Sequence, residues 1–302
     1  MDFSPDSQYL ALGGYYRLLV FDTDSKVTIL DLPNSVTTLR TDFKWITFSP
    51  DSNHIMSHSD WWTYDHEMSI WNVHTGQRVH AVAALRSQQW VQRPWLSPDW
   101  TQFLDWSRDE LAVIHEFDIE QGLGQLLVGI SAVDAGAAFS PDGSVFAFAT
   151  WEGEVQVYET NTWTLKNKIQ HHQTPCGDLG VRFAFSHGKP LLATSCRPDK
   201  AVSVWNFETN EVIFLVETFS ADPVFTMDDK HLIASTIGLS PENSSILVWN
   251  VPHDFELTVY PGKEPKLHPN SELMATIGPD GRVWVWNIKS KQLLAILSAP
   301  RN

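Results

Sequence analysis

The chain has 302 residues, with 21 Lys and Arg against 36 Asp and Glu for a formal net charge of −15, and it is 43% hydrophobic and only 19% charged. That composition supplies enough apolar side chain for a buried core and excludes a disordered chain. The acidic excess repels phosphate backbones and anionic headgroups, so nucleic acid and membrane surfaces are excluded as expected partners and a basic protein segment is favoured.

Taken in chain order, one succession of elements returns seven times. FSPD at Phe3 is a turn signal, because Pro fixes φ while Ser and Asp bond nearby backbone. The apolar run YLALGG from Tyr9 reads as a buried strand, LLVFD ending at Asp22 as a second, and KVTIL as a closing strand. The same order follows with FSPD at Phe48, HIMSHS from His54, SIWN to Asn72 and QRVHAVA. Next come LSPD at Leu96, QFLDWS from Gln102, VIHEFD near Asp118 and QLLVGI, then FSPD at Phe139, VFAFAT from Val145, VQVYE to Glu159 and TLKNKI. The fifth copy is FSHG at Phe185, LLATSC from Leu191, VSVWN to Asn206 and EVIFLV. FTMD at Phe225, HLIAST from His231, ILVWN to Asn250 and ELTVY form the sixth, and LHPN at Leu267, ELMATI from Glu272, VWVWN to Asn287 and QLLAIL the seventh. Successive tetrapeptides start 45, 48, 43, 46, 40 and 42 residues apart, so the chain is a repeat array. Counting the apolar stretch before each tetrapeptide, every repeat supplies four short strands.

These features resemble the WD-repeat family of β-propellers over essentially the whole chain. The resemblance implies an all-β fold, a seven-bladed β-propeller of four-stranded antiparallel blades. It implies one domain, 1–302, with blades at about 1–33, 34–84, 85–130, 131–172, 173–217, 218–260 and 261–302. It also implies a stabilising tetrad of His, Ser or Thr, Asp and Trp. Only the fifth repeat offers all four members, His171 or His172, Thr194, Asp199 and Trp205. The second offers Ser57, Asp65 and Trp71, and the seventh Thr276, Asp280 and Trp286, both without the His. Family propellers often complete the last sheet with a strand from the opposite terminus, whereas MDFSPD here is a stub of an innermost strand. Either the ring closes by packing alone or residues upstream complete it.

Chemical motifs are sparse. Of 12 histidines, His54 and His58 lie four apart on an expected strand, roughly 13 Å at about 3.3 Å per residue, too far for one Zn²⁺. GLGQLLVG from Gly122 lacks phosphate-loop spacing and is read as a turn, and the acidic run DWSRDELAVIHEFDIE as solvated charge. The two cysteines, Cys176 and Cys196, have no metal-site spacing and are read as free thiols, with one disulfide as the alternative. No cofactor and no metal are expected. No run reaches the about 20 apolar residues of a membrane span, and the first residues lack a signal-peptide pattern, so a cytoplasmic protein is expected. Nothing in the sequence sets the oligomeric state.

The loops that follow the second strand, and those that enter each blade, are long and rich in aromatic residues. They carry Trp61, Trp62, Tyr64 and Trp90, with Trp106 and Trp151 at strand ends. Trp and Tyr dominate binding hot spots, so these six residues form the expected partner site of a noncatalytic protein-protein interaction scaffold. The alternative is an enzyme or small-ligand binder in which His58, Asp105 and Glu152 converge at the mouth of a central channel.

Overall fold

The computed structural model describes residues 2–13, 17–33, 45–58, 67–83, 95–106, 111–131, 136–150, 153–170, 181–196, 200–218, 220–236, 244–251, 255–268 and 272–297. Among them there is no helix, and the strands form seven four-stranded sheets. The chain divides into two compact units, Met1–Val133 and Asp134–Asn302.

The first unit holds three sheets. Blade 1 is β1 (Asp2–Phe3), β2 (Tyr9–Gly13), β3 (Arg17–Asp22) and β4 (Thr28–Pro33). Blade 2 is β5 (Trp45–Phe48), β6 (His54–His58), β7 (Glu67–Asn72) and β8 (Arg78–Ala83), and blade 3 is β9 (Trp95–Leu96), β10 (Gln102–Trp106), β11 (Leu111–Asp118) and β12 (Gly122–Ser131). The second unit holds four. Blade 4 is β13 (Ala137–Phe139), β14 (Val145–Ala149), β15 (Glu154–Glu159) and β16 (Thr164–Gln170), and blade 5 is β17 (Val181–Phe185), β18 (Leu191–Cys196), β19 (Ala201–Asn206) and β20 (Glu211–Glu217). Blade 6 is β21 (Ser220–Phe225), β22 (His231–Thr236), β23 (Ser245–Asn250) and β24 (Leu257–Pro261), and blade 7 is β25 (Lys263–Leu267), β26 (Leu273–Ile277), β27 (Val283–Asn287) and β28 (Gln292–Leu297). In every blade the strands pair antiparallel in chain order, so the sheets are the seven blades of a β-propeller, as the repeats predict.

The tetrapeptides close the turn from first to second strand by one repeated device. The hydroxyl of the Ser or Thr donates to the Asp two residues on: Ser4 to Asp6 at 2.6 Å, Ser49 to Asp51 and Ser97 to Asp99 at 2.5 Å, Ser140 to Asp142 at 2.6 Å, Thr226 to Asp228 at 2.7 Å. The same oxygen accepts the first amide of the next strand, from Tyr9, His54, Gln102, Val145 and His231 at 2.8–3.0 Å. The residue after the Asp enters the left-handed region, with φ of 63° at Ser7, 62° at Ser52, 60° at Trp100, 71° at Gly143 and 51° at Asp229. In blade 5, where FSHG lacks the Asp, Ser186 donates instead to the Lys189 carbonyl. Asp229 of blade 6 then supplies the missing carboxylate from outside, accepting the amides of His187 at 2.8 Å and Gly188 at 2.7 Å.

The polar residue that ends the third strand caps the turn to the fourth. Asn72 accepts from the amides of His74 and Thr75 at 3.1 and 3.0 Å, Asn206 from those of Glu208 and Thr209 at 3.0 and 3.1 Å, and Asn287 from that of Ser290 at 2.7 Å. Immediately before it the ladder to the fourth strand slips, between Ile70 and Trp71, Val157 and Tyr158, Val204 and Trp205, and Val285 and Trp286. GLGQLLVG is not a turn: Gly122, at φ +81°, opens β12, and the strand runs on through the motif. That left-handed φ explains why glycine stands at that position; a Cβ there would meet only the His80 ring, which can turn aside.

Second strands are largely buried, completely so in β14 and β18 and only in part in β2 and β26, whereas the fourth strands β16 and β20 are mostly exposed. This is the burial of sheets stacked face to face. Each contact between successive blades within a unit has an apolar cluster of its own. Val20, Ile55 and Trp71 join blades 1 and 2; Met68, Ile70 and Phe103 join 2 and 3; Val157, Leu192 and Trp205 join 4 and 5; Val204, Leu232 and Trp249 join 5 and 6; Ile246, Met274 and Trp286 join 6 and 7.

Candidate interaction face

In a four-stranded antiparallel blade, the connection from second to third strand leaves the same end of the sheet as the exit from the fourth. Of the six expected partner-site aromatics, Trp106 ends β10 at that end of blade 3. Trp61, Trp62, Tyr64, Trp90 and Trp151 lie outside the described residues, and of Trp106 the described part is its place on the strand. The same holds for the channel-mouth trio: Glu152 lies outside the described residues, while His58 ends β6 and Asp105 precedes the last residue of β10.

Several described charged side chains at this end are paired, most within their own blade and Arg182 with Asp222 of the next blade at 3.4 Å. Arg17 meets Asp31 at 3.3 Å. Lys168 meets Glu154 at 3.0 Å, Gln156 bonds the other Glu154 oxygen at 2.5 Å, and the Tyr158 hydroxyl donates to Gln156 at 2.8 Å. The Lys168 bond, then that of Gln156, holds the Glu154 carboxyl below its ordinary range, while burial and the Glu154 charge push the Tyr158 hydroxyl up. In blade 7, Asp280 takes the Arg282 amide at 3.0 Å, the Arg282 Nε at 2.6 Å and the Trp284 Nε1 at 3.1 Å. Among the described residues no three His, Cys, Asp or Glu side chains converge to hold a metal.

The tetrad positions divide differently from their sequence match. In blade 2 the Trp71 indole donates to Ser57 at 2.9 Å, and in blade 7 that of Trp286 donates to Thr276 at 3.0 Å. Blade 5 has the most complete sequence. There Trp205 and Thr194 are both fully buried, yet the Thr194 hydroxyl has no hydrogen-bond partner. His171, His172 and Asp199 lie outside the described residues, as does Asp65. The acid expected in blade 7, Asp280, serves Arg282 and Trp284, because it occupies the turn and not the strand. The free-thiol expectation is overturned at Cys196, which is disulfide-bonded and buried at the end of β18; the other cysteine of the sequence, Cys176, lies outside the described residues.

No family model matches the sequence, and no curated protein matches it. Solved structures do. A chain of the mitotic checkpoint complex is 19% identical with a TM-score of 0.67, over 93% of this chain and 83% of that one. The C-terminal WD40 domain of Sif2 is 15% identical with a TM-score of 0.71, over 98% and 84%. The β-propeller domain of Cps50 (Swd1) from Myceliophteria thermophila is 13% identical with a TM-score of 0.68, over 95% of each. This chain has the WD40 β-propeller fold. The resemblance read from SPD turns and terminal Trp-Asn pairs therefore holds at the level of the fold, and it holds across the whole propeller. Function is a separate matter, since one fold serves many.

Proposed function

We propose that this WD40 propeller is a noncatalytic scaffold that binds a basic peptide or protein through the aromatic loops at the second-to-third-strand end of its blades. The contrast between the two ends of each blade carries the reading. At one end the Ser, Asp and Asn side chains are spent on their own turns, in blade after blade. At the other, longer connections carry Trp61, Trp62, Tyr64, Trp90 and Trp151, with Asp60 and Asp65 beside the first three. Large rigid rings bury much area at small entropic cost, and carboxylates around them steer a basic partner. A propeller found in the mitotic checkpoint complex supports a role in assembly. A cytoplasmic location belongs to the same proposal, although a disulfide at Cys196 favours an oxidising compartment, and cell fractionation decides between them.

The test is affinity capture of the partner with the Trp61→Ala, Trp62→Ala double variant. Loss of at least about 2 kcal/mol of binding with an unchanged β-sheet spectrum is expected for hot-spot rings. An unfolded variant would show instead that the rings cover the core.

A further inference from the structure

Strand β20 reads EVIFLVE and is the last strand of its sheet, so among the described residues one edge has no strand beside it. Phe214 and Val216 lean onto the cluster shared with blade 6, where Phe214 stacks on Phe255 at 4.1 Å. The other apolar residues face water: Val212 is 46% exposed, Ile213 48% and Leu215 64%, the highest value among the large apolar side chains described. The slip between Val204 and Trp205 leaves Ile213 without a partner on β19, and this widens the apolar stripe. Such a stripe beside a free strand edge is a template for pairing.

The charges choose the occupant. Among the fourth strands of this unit, β24 and β28 carry no charged residue, and the lysines of β16 are paired, Lys166 with Glu159 at 3.6 Å and Lys168 with Glu154 at 3.0 Å. Only β20 combines carboxylates at both ends with no base, and neither Glu211 nor Glu217 has an ion-pair partner among the described residues. Its sequence is nearly palindromic. A second copy would bring four carboxylates and no base to one seam, and like charges close across a strand pair are destabilising. The slip sets Glu211 opposite Asn206 and Glu217 opposite Ala201, so the two carboxylates lie on opposite faces of the sheet, and two cations five residues apart on an incoming strand would meet both. We propose that the free edge of β20 docks an extended apolar segment of a partner protein bracketed by Lys or Arg, which adds to blade 5 as a fifth strand. This surface is distinct from the aromatic loops.

The probe is the fluorescein-labelled hexapeptide KTVTVK, titrated by anisotropy at low salt against the full chain. Saturable binding is expected, weakened about tenfold or more by the double variant Glu211→Lys, Glu217→Lys, which should in turn prefer ETVTVE. N-methylation of one alternate set of probe amides should abolish binding and methylation of the other should not, since only one set faces the strand edge. Trp61→Ala, Trp62→Ala should bind the probe as wild type does, which separates this site from the loop face. Absence of saturable binding to the folded wild type overturns the proposal, as does equal binding to wild type and charge-reversed variant. Dimerisation of the wild type that Leu215→Lys abolishes would make a second copy the occupant and overturn it equally.

Discussion

Thr194 and Ser57 occupy equivalent positions in their blades, and what each hydroxyl touches sets opposite expectations for its removal. Ser57 accepts the Trp71 indole N–H at 2.9 Å in a fully packed setting. Ser57→Ala takes that acceptor from a buried donor, and chemical denaturation should show a loss of about 1–3 kcal/mol. Thr194 is buried with its hydroxyl unused. Thr194→Val keeps the shape and removes the unsatisfied group, so the same measurement should find it neutral or stabilising by about 1 kcal/mol. A loss at Thr194 as large as that at Ser57 would mean the hydroxyl is bonded in solution. This is the point at which the sequence misleads. LLATSC and VSVWN match the tetrad spacing in full, but spacing along two strands does not determine whether an indole N–H reaches its acceptor.

At the scale of the element, turn chemistry was legible because it is local. Ser-Pro-Asp and Trp-Asn act within five residues of chain, so their side-chain bonds follow from the sequence alone. Contacts made by a glycine across two blades are not local. Gly136, just before β13, has φ +116°, and a Cβ there would lie 2.1 Å from the Val181 carbonyl oxygen of blade 5. Neither the strained φ nor the backbone clash can relax by a rotamer change. Gly136→Ala should cost about 3 kcal/mol or more in thermal unfolding, with a loss confined to the second unit if the two units melt separately. A substitution without effect would mean that β13 and β17 do not approach this closely. Likewise Asp229 reads as one more acid in FTMDDKH, and nothing in that string shows that it caps the FSHG turn of the preceding blade.

Over the whole molecule the turn carboxylates sum. Serine hydroxyl bonds hold Asp6 and Asp142 below the ordinary carboxylate range. At Asp51, Asp99 and Asp228 partial burial pushes the other way and is outweighed by hydroxyl and amide bonds, joined at Asp228 by Lys230. A folded value below the unfolded one adds stability that is complete above the unfolded pKa of 3.8 and is lost as pH falls through the lower folded values. Asp2 has the opposite sign, because burial raises it and favours its protonated form. With Asp22, Glu154 and Asp280, which hydrogen bonds also hold low, eight lowered carboxylates against one raised among the described residues predict a melting temperature that falls steeply below about pH 4. Replacing Asp142 by Asn should blunt that fall, and a melting temperature that holds down to pH 2 would refute the assignment. Seven repeats in register made the fold readable, whereas the proposed partner face rests on connections whose composition, unlike the strands, obeys no period.

The separate apolar cluster between successive blades within each unit bears on how such a chain diverges. A seam of Val, Ile, Leu and Trp accepts many combinations of side chains provided volume is kept. Because each seam is shared by only two blades, a change in one is compensated next door and need not propagate. Repeats can then drift one at a time. The polar signature of a blade is lost first where apolar contact suffices, as in blade 6, where Ala234 stands opposite Leu247 without a hydroxyl for Trp249. A lineage of this kind keeps its architecture long after its sequence has stopped resembling its kin, so relatives of this chain should be sought by the spacing of hydroxyl–carboxylate turns, which geometry pins, and not by residue identity.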